Sequence, residues 1–379
     1  MKKSTRLSLS MPIFVVLLFT GINTRAQLSA ALAYKPERTD TLLNYPFANN
    51  KFTAFTTPDA KALSVYDQED ELELQKTVAT NLSKTEERKQ LMEYLKQLEL
   101  GNQTQSNESK NKTLFKFANL FARLKLYPLA MKCFFKTLQN GKKNAHVNAT
   151  DSTYNTYDDF NYDLPITTKD DSLTFIQSQQ VKNEKSERTT YEHIAGTFND
   201  GKTAIAYALL FHIKQPVPGK RKIFVLSNTG HAYITLIKYN TDSTYVSCSF
   251  GFYPKKDHLF SGTPWFPSSS SQLKNDGGHA WDEVIGKFIS KKKFDKILTL
   301  TKKYGDVQYH LNKNNCTDFS LNAAMLAGIS ISNTTGSWPL GHGNNPGVTG
   351  QSLINGNYSN TDGHAATTLF KSINTSVAQ

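Results

Sequence analysis

Residues 314–329 read NNCTDFSLNAAMLAGI and carry the signals of one short helix with both ends defined. Asn315 is a residue type that caps a first helical turn, and Asp318 places a carboxylate near the positive end of the helix dipole. Gly328 followed by an isoleucine is typical of a left-handed helix stop with its apolar contact. Cys316 therefore falls on the opening turn, where unpaired N–H groups and the dipole lower the pKa of a thiol.

The same stretch predicts how the helix packs. Apolar residues occupy nearly all of its sides, which is typical of a helix buried inside a domain. Its alanines suit close packing against a sheet. The face that contains the cysteine consists of Cys316, Phe319, Ser320, Ala323, Ala324 and Ala327.

A nucleophilic thiolate needs a group that accepts a proton and later protonates the leaving group, and imidazole suits this role near neutral pH. Of the nine histidines, His231 is the best placed, because it opens a predicted strand directly after the turn at 228–230. His279 and His310 are rival partners for Cys316. The alternative for His231 is an ordinary surface histidine at a turn.

Three runs rich in β-branched and aromatic residues predict consecutive strands of an antiparallel sheet, at 222–227, 231–239 and 244–250. The apolar run 201–213 is predicted to form a compact helix. The segment 281–303 has amphipathic character and leads toward the cysteine helix.

Three short motifs, GHAYI at 230–234, SFGFYP at 249–254 and YHLNKNNCTDF at 309–319, carry a resemblance. In this order they resemble the circularly permuted papain-like thiol hydrolases of the NlpC/P60 superfamily, in which the histidine strand precedes the cysteine helix. The resemblance covers roughly residues 222–340. It implies an α+β domain in which an antiparallel sheet packs on a central helix that carries the cysteine.

By this resemblance Cys316 is the nucleophile and His231 is the base. The superfamily usually places a third polar group, which orients the histidine ring, on the strand after the histidine. Here that strand offers Ser247 and Ser249 on one face, and no His, Asn or Gln. Ser249 or the more distant His279 is the candidate orienting group, and a dyad without a third member is the alternative.

The implied chemistry is attack of the Cys316 sulfur on an amide or ester carbonyl, followed by hydrolysis of a thioester. The Cys316 backbone N–H, with the Asn315 side chain as a second candidate, is expected to hold the oxyanion. Trp338 lies at the start of a loop rich in Gly and Pro at 336–347. This loop either lines a substrate groove with Trp338 as an apolar wall or is an ordinary surface loop.

The first 26 residues have the layout of a secretory signal peptide, with a cationic start, an apolar run at 11–19 and small residues before a cleavage site near Ala26. Pro12 and the polar flank argue against a membrane anchor. We therefore expect an exported, periplasmic or secreted protein without stable membrane insertion. Loss of the leader's four cations lowers the net charge from +12 to +8.

The remainder of the 379-residue chain divides by composition. Residues 27–66 are predicted to be an extended lead-in, 67–139 helical, 140–188 a polar linker, and 189–379 the papain-like domain. Within the helical region, 113–138 resembles one tetratricopeptide unit, which implies a surface for a protein partner. An ordinary helical hairpin is the alternative.

Several other functions lack a sequence signal. Three widely spaced cysteines give no zinc pattern, and no phosphate loop, nucleic-acid module or cofactor motif is present. Cys316 could also be an inert buried thiol or form a disulfide with Cys248. The hypotheses are an exported cysteine amidase acting on cell-wall peptide, a lipid acyl hydrolase or acyltransferase with the same dyad, and a binding protein with an inactive domain.

Overall fold

The computed structural model describes residues 76, 78–80, 82–100, 107–148, 162–180, 186–225, 228–255, 257, 261–362 and 368–373. The predicted leader and lead-in lie outside these residues. The helices are α1 Thr85–Leu100, α2 Asn107–Arg123, α3 Tyr127–Asn148, α4 Thr168–Gln180, α5 Tyr191–Phe198, α6 Lys291–Gly305, α7 Cys316–Ala327 and α8 Pro346–Ile354. The strands are β1 Glu187–Thr189, β2 Ala204–Lys214, β3 His231–Asn240, β4 Tyr245–Pro254, β5 Ser268–Ser269, β6 Ser271–Asn275, β7 Glu283–Ile289, β8 Tyr309–His310, β9 Ile329–Ile331, β10 Thr335–Trp338, β11 Gly341–Asn344, β12 Tyr358–Asn360 and β13 Phe370–Ile373.

A large antiparallel sheet organises the structure, in agreement with the predicted α+β class. Seven strands follow the order β1-β6-β4-β3-β2-β7-β13, and every neighbouring pair is antiparallel. The predicted strands at 231–239 and 244–250 are confirmed as β3 and β4. Short two-stranded pairs, β10-β11, β9-β12 and β5-β8, complete the strand pairing.

The apolar run 201–213 forms strand β2, so the prediction of a helix there is wrong. This strand lies inside the sheet between β3 and β7, and most of its residues are buried. A strand covered on both faces reads as a continuous apolar run, which periodicity alone does not distinguish from a buried helix. The predicted strand at 222–227 is also wrong, because its described part forms only one isolated bridge, between Val225 and Asn228.

Both faces of the sheet are covered by helices. Alternate residues of β3 belong to different cores: Tyr233 and Ile237 pack with α1, α2 and α3, whereas Ala232 and Ile234 pack with α5, α6 and α7. The segment 281–303 supplies β7 and then α6. The sheet is packed between these two groups of helices. This packing fixes the beginning of β3, where His231 lies, relative to the beginning of α7, where Cys316 lies.

The predicted helical region joins the first of these cores. Helices α2 and α3 form the expected hairpin, with a turn at 124–126, and Phe134 contacts Phe370 of the sheet with ring centroids 5.5 Å apart. The prediction of a linker is wrong within 140–188, because α4 forms there. Its Asp170 is fully buried and pairs with Lys132 at 2.9 Å, which explains how so polar a segment packs.

Candidate active site

Cys316 is the first residue of α7. Asn315 caps the helix, because its Oδ1 accepts hydrogen bonds from the N–H groups of Thr317 and Asp318 at 2.8 and 3.1 Å. The Asp318 carboxylate accepts the Asn315 N–H at 2.8 Å, which completes a capping box. Gly328 ends the helix with a positive φ of 93°, as predicted. The sulfur therefore lies at the positive end of the helix dipole.

The cysteine face of α7 is buried as predicted, but the opposite side of the helix is not. Met325 is 52% exposed, and Leu321 and Leu326 are only partly buried. The helix is thus amphipathic rather than surrounded on all sides. Its buried side packs against β3 and β4 and holds the first turn at the end of the sheet.

His231 is the first residue of β3, and its ring lies close enough to the Cys316 thiol to lower the pKa of that thiol. Gly230, with φ of +73°, makes the turn that precedes it, and a side chain there would strike the Lys214 carbonyl. The backbone of Ala232 also lowers the pKa of the thiol. The structure thus brings together the two side chains selected from the sequence, although 85 positions separate them.

Asp276 provides a third member that the sequence analysis did not select. Its Oδ2 lies 3.0 Å from His231 Nε2, and the carboxylate is fully buried. The hydroxyls of Ser186 and Tyr253 donate to its other oxygen at 2.5 and 2.6 Å. Because Nε2 is engaged by the carboxylate, Nδ1 is the ring nitrogen left for the sulfur.

Gly251 makes room for this contact. It lies on β4 beside His231, and Asp276 follows the end of β6, the next strand in the sheet. A Cβ atom at position 251 would lie 2.5 Å from the Asp276 carboxylate and 2.6 Å from His231 Nε2. The absent side chain therefore lets a carboxylate from one strand farther away reach the histidine.

The charges of these groups favour a thiolate–imidazolium pair. Burial opposes the charge on His231, but Asp276 and Cys316 raise the pKa of His231 to about 9. Burial likewise opposes the thiolate, yet the hydrogen bond and positive charge of His231 lower the pKa of Cys316. Burial raises the pKa of Asp276, and His231 outweighs it, so this pKa falls below its ordinary value.

Neither of the two sequence candidates for the orienting group takes the place of Asp276. Ser249 pairs with Thr235, four residues along β3 from His231, and their hydroxyls are 2.7 Å apart. At roughly 3.3 Å per residue this places Ser249 about 13 Å along the strand from the histidine. The His279 ring lies 5.0 Å from the His231 ring, and its Nδ1 contacts the Ala280 carbonyl instead.

The Asn315 side chain, expected to hold an oxyanion, has both amide hydrogens directed elsewhere. It donates at 2.8 Å to the carbonyls of Leu311 and Asn344. The Cys316 backbone N–H, at the start of α7, is therefore the remaining donor predicted for an oxyanion.

Trp338 lies on a hairpin that is attached to the cap of α7. It pairs with Gly341 across β10 and β11, and the last residue of this hairpin is Asn344, whose carbonyl accepts the Asn315 amide. The indole is partly buried, and its Nε1 has no hydrogen-bond partner among the described residues.

The other thiols differ sharply from Cys316. Cys316 and Cys248 are not joined by a disulfide in this structure. Burial, with the nearby charge of Asp276, raises the pKa of Cys248 to about 12. Cys133 lies in the helical core. Cys316 is thus the cysteine with an activated environment.

Over the described part of the chain, no group of three or more His, Cys, Asp or Glu side chains is arranged to hold a metal ion, and no helix is long and apolar enough to cross a bilayer. Comparison of the chain with protein-family models, curated proteins and solved structures gave no match.

Proposed function

We propose that this chain is an exported cysteine hydrolase that cleaves amide bonds, with cell-wall peptide as its substrate class. The observation that carries the proposal is the buried series Cys316–His231–Asp276 at the start of a capped helix. Nucleophile, base and orienting carboxylate in this relation are the arrangement used for nucleophilic acyl transfer.

Acylation begins with the thiolate of Cys316. Its electron pair attacks the carbonyl carbon, and the carbonyl π electrons move onto oxygen. The Cys316 N–H, at the positive end of α7, is the donor for this oxyanion. When the oxyanion collapses, the C–N bond breaks, the His231 imidazolium gives its proton to the leaving nitrogen, and a thioester remains.

Deacylation uses the same groups in reverse. Neutral His231 accepts a proton from water as the water oxygen attacks the thioester carbonyl. Collapse of the second oxyanion releases the carboxylic acid and regenerates the thiolate–imidazolium pair. Asp276 remains ionised throughout, because its role is to fix the ring and stabilise the imidazolium.

The arrangement of the elements supports a permuted papain-like domain. The histidine strand β3 precedes the cysteine helix α7 in the chain, and α7 packs on an antiparallel sheet. The predicted leader supports export, and an exported amidase of net charge +8 suits an anionic, peptide-rich polymer such as cell wall.

A lipid acyl ester is the second candidate substrate. The observation that favours it is a set of exposed apolar side chains, Phe224, Trp265 and Leu340, on loops that lead to the site. An ester hydrolase would use the same nucleophile and base. Unlike a cell-wall peptide, a lipid ester would need an apolar protein surface that binds its acyl chain.

The test compares purified peptidoglycan with a p-nitrophenyl acyl ester as substrates. We expect Cys316→Ala and His231→Ala to abolish release of peptide fragments while thermal unfolding stays cooperative. Cys248→Ala is the matched control, because it removes a thiol outside the site. Full turnover by either of the first two variants removes that residue from the mechanism, and turnover of the ester alone favours the second substrate class.

A further inference from the structure

Exposed apolar side chains concentrate on three loops near the start of α7. In a water-soluble fold such clustering marks an interaction surface, whereas isolated exposed apolar residues are ordinary. Trp265 and Leu340 are the most exposed, at 71% each. We call this set the apolar tips: Phe224 and Val225 on the loop 215–230, Trp265 and Phe266 on the loop 261–267, and Leu340 on the turn of the β10–β11 hairpin.

The segment 309–315, which leads into Cys316, connects two of these loops. On one side, the Leu311 N–H donates to the Pro267 carbonyl at 2.8 Å. On the other side, Gly343 of the hairpin lies so close to Asn312 that a Cβ would be 2.8 Å from the Asn312 carbonyl oxygen. Trp265 and Leu340 therefore extend from loops that border the same segment.

The third loop joins the other side of the hairpin. Asn345 directly follows β11, and its Nδ2 donates to the Ile223 carbonyl at 3.0 Å. Ile223 also covers Gly336 of β10. Because Phe224 follows Ile223, the three loops that carry the apolar tips adjoin one another in a row beside the beginning of the cysteine helix.

Charge accompanies the apolar tips. The segments 215–230, 261–267, 309–315 and 335–344 contain no Asp or Glu. They contain four exposed cations, and three of these are consecutive residues that precede Ile223 and Phe224 on the same loop. The cations are Lys220, Arg221, Lys222 and Lys313.

We propose that this row docks the active-site end of the protein on an anionic lipid surface. Aromatic and aliphatic tips enter the interface between headgroups and acyl chains, and the cations beside them meet lipid phosphates. The apolar tips lie on separate loops and have cations beside them. A fluid lipid surface can adapt to each loop, whereas the core of a protein–protein interface is closely packed and depleted of charged residues. This property is independent of the chemistry of Cys316.

Vesicle binding by the full chain tests the proposal, with Cys316→Ala as background so that turnover cannot alter the lipid. The vesicles are phosphatidylcholine alone or equal parts of phosphatidylcholine and phosphatidylglycerol, and binding is measured by sedimentation. We expect binding to the anionic vesicles to exceed binding to the neutral ones. Each cation contributes about 1 kcal/mol at such a surface, so Lys220→Gln and Lys222→Gln should each weaken binding about fivefold.

Trp265→Ser tests the apolar contribution, and we expect it to weaken binding further. Ile176→Ser is the matched control, because Ile176 is 52% exposed on α4, and it should leave binding unchanged. All variants keep the same N-terminal segment, so differences between them report on the loops. Equal binding by Trp265→Ser and Ile176→Ser overturns the proposal.

The fluorescence of Trp265 also tests whether this side chain enters the lipid. Trp281 is buried and Trp338 is partly buried, so Trp265 is the tryptophan that brominated lipid should quench on binding. We expect this quenching to disappear in Trp265→Phe. Vesicle binding without such quenching, or no preference for anionic vesicles, contradicts the proposal, whereas a failure of catalysis would leave every result of this experiment unchanged.

Discussion

Gly251→Ala should disconnect His231 from Asp276 without removing either side chain. The new Cβ would lie 2.5 Å from the carboxylate oxygen and 2.6 Å from the ring nitrogen. To reach an ordinary contact of about 3.4 Å, these atoms must move by about 0.9 and 0.8 Å. Their 3.0 Å separation then exceeds about 3.5 Å, at which the hydrogen bond is lost.

Loss of this hydrogen bond has a defined chemical consequence. Burial opposes the charge on His231, so its pKa should fall once the carboxylate no longer supports the imidazolium. The pKa of Cys316 should rise in turn. We expect kcat/KM to fall roughly 100-fold, at the lower end of the contribution of a positioned general acid–base group. Overpacking should cost about 1–3 kcal/mol of stability.

The assay combines hydrolysis with the rate of Cys316 alkylation by iodoacetamide, located by peptide mass spectrometry. Gly196→Ala is the matched control, because position 196 has no atom within 4 Å of the added Cβ. The double variant Gly251→Ala/Asp276→Asn should have nearly the same hydrolysis and alkylation rates as Asp276→Asn alone, because both substitutions remove the same His231–Asp276 interaction. Unchanged alkylation and turnover in a folded Gly251→Ala protein would refute the reasoning.

Three further changes have expected outcomes. Asp276→Asn should move the basic limb of the pH–activity profile to a lower pH than about 9, because His231 loses the carboxylate charge that raises its pKa. A basic limb that stays at the same pH in rate measurements argues against a role of Asp276 in supporting the imidazolium. Glu283→Gln should stabilise the protein at pH 8 but not at pH 4. Burial raises the pKa of Glu283 to about 8, so the folded wild type loses stability as the pH rises from 4.5 through 8 and the buried carboxyl group ionises. Denaturant titrations of both proteins at pH 4 and pH 8 measure the free energies of unfolding. Asn315→Ala should cost about 1–2 kcal/mol and slow thiol alkylation, whereas Asn345→Ala, which removes the equivalent cap of α8, should cost similar stability with normal alkylation.

Local signals in the sequence were sufficient for the cysteine helix and for the histidine strand. The cap, the acidic first turn and the glycine stop of α7 are all short-range features, and the structure contains each of them. The strand that begins at His231 was equally clear, because a tight turn precedes alternating residues. Local patterns therefore predicted both candidate catalytic side chains.

Long-range contacts explain what the sequence did not indicate. Asp276 follows a five-residue strand, and its partner is fixed by the sheet order and by the missing side chain of Gly251 rather than by any local pattern. Strand β2 was mistaken for a helix because its burial depends on neighbours from both sides. The packing of α4 depends on the pair Asp170–Lys132, whose members are 38 positions apart.

Titration of the Cys316 thiolate tests the central claim most directly. The difference in ultraviolet thiolate absorbance between wild type and Cys316→Ser, followed against pH, isolates this group from the two other thiols. We predict half-formation of the thiolate at a pH below that of an ordinary thiol, because His231 lowers the pKa of Cys316, and an upward shift of this transition in His231→Ala. A single transition near the ~8.5 of an ordinary thiol, unchanged by His231→Ala, would contradict the account.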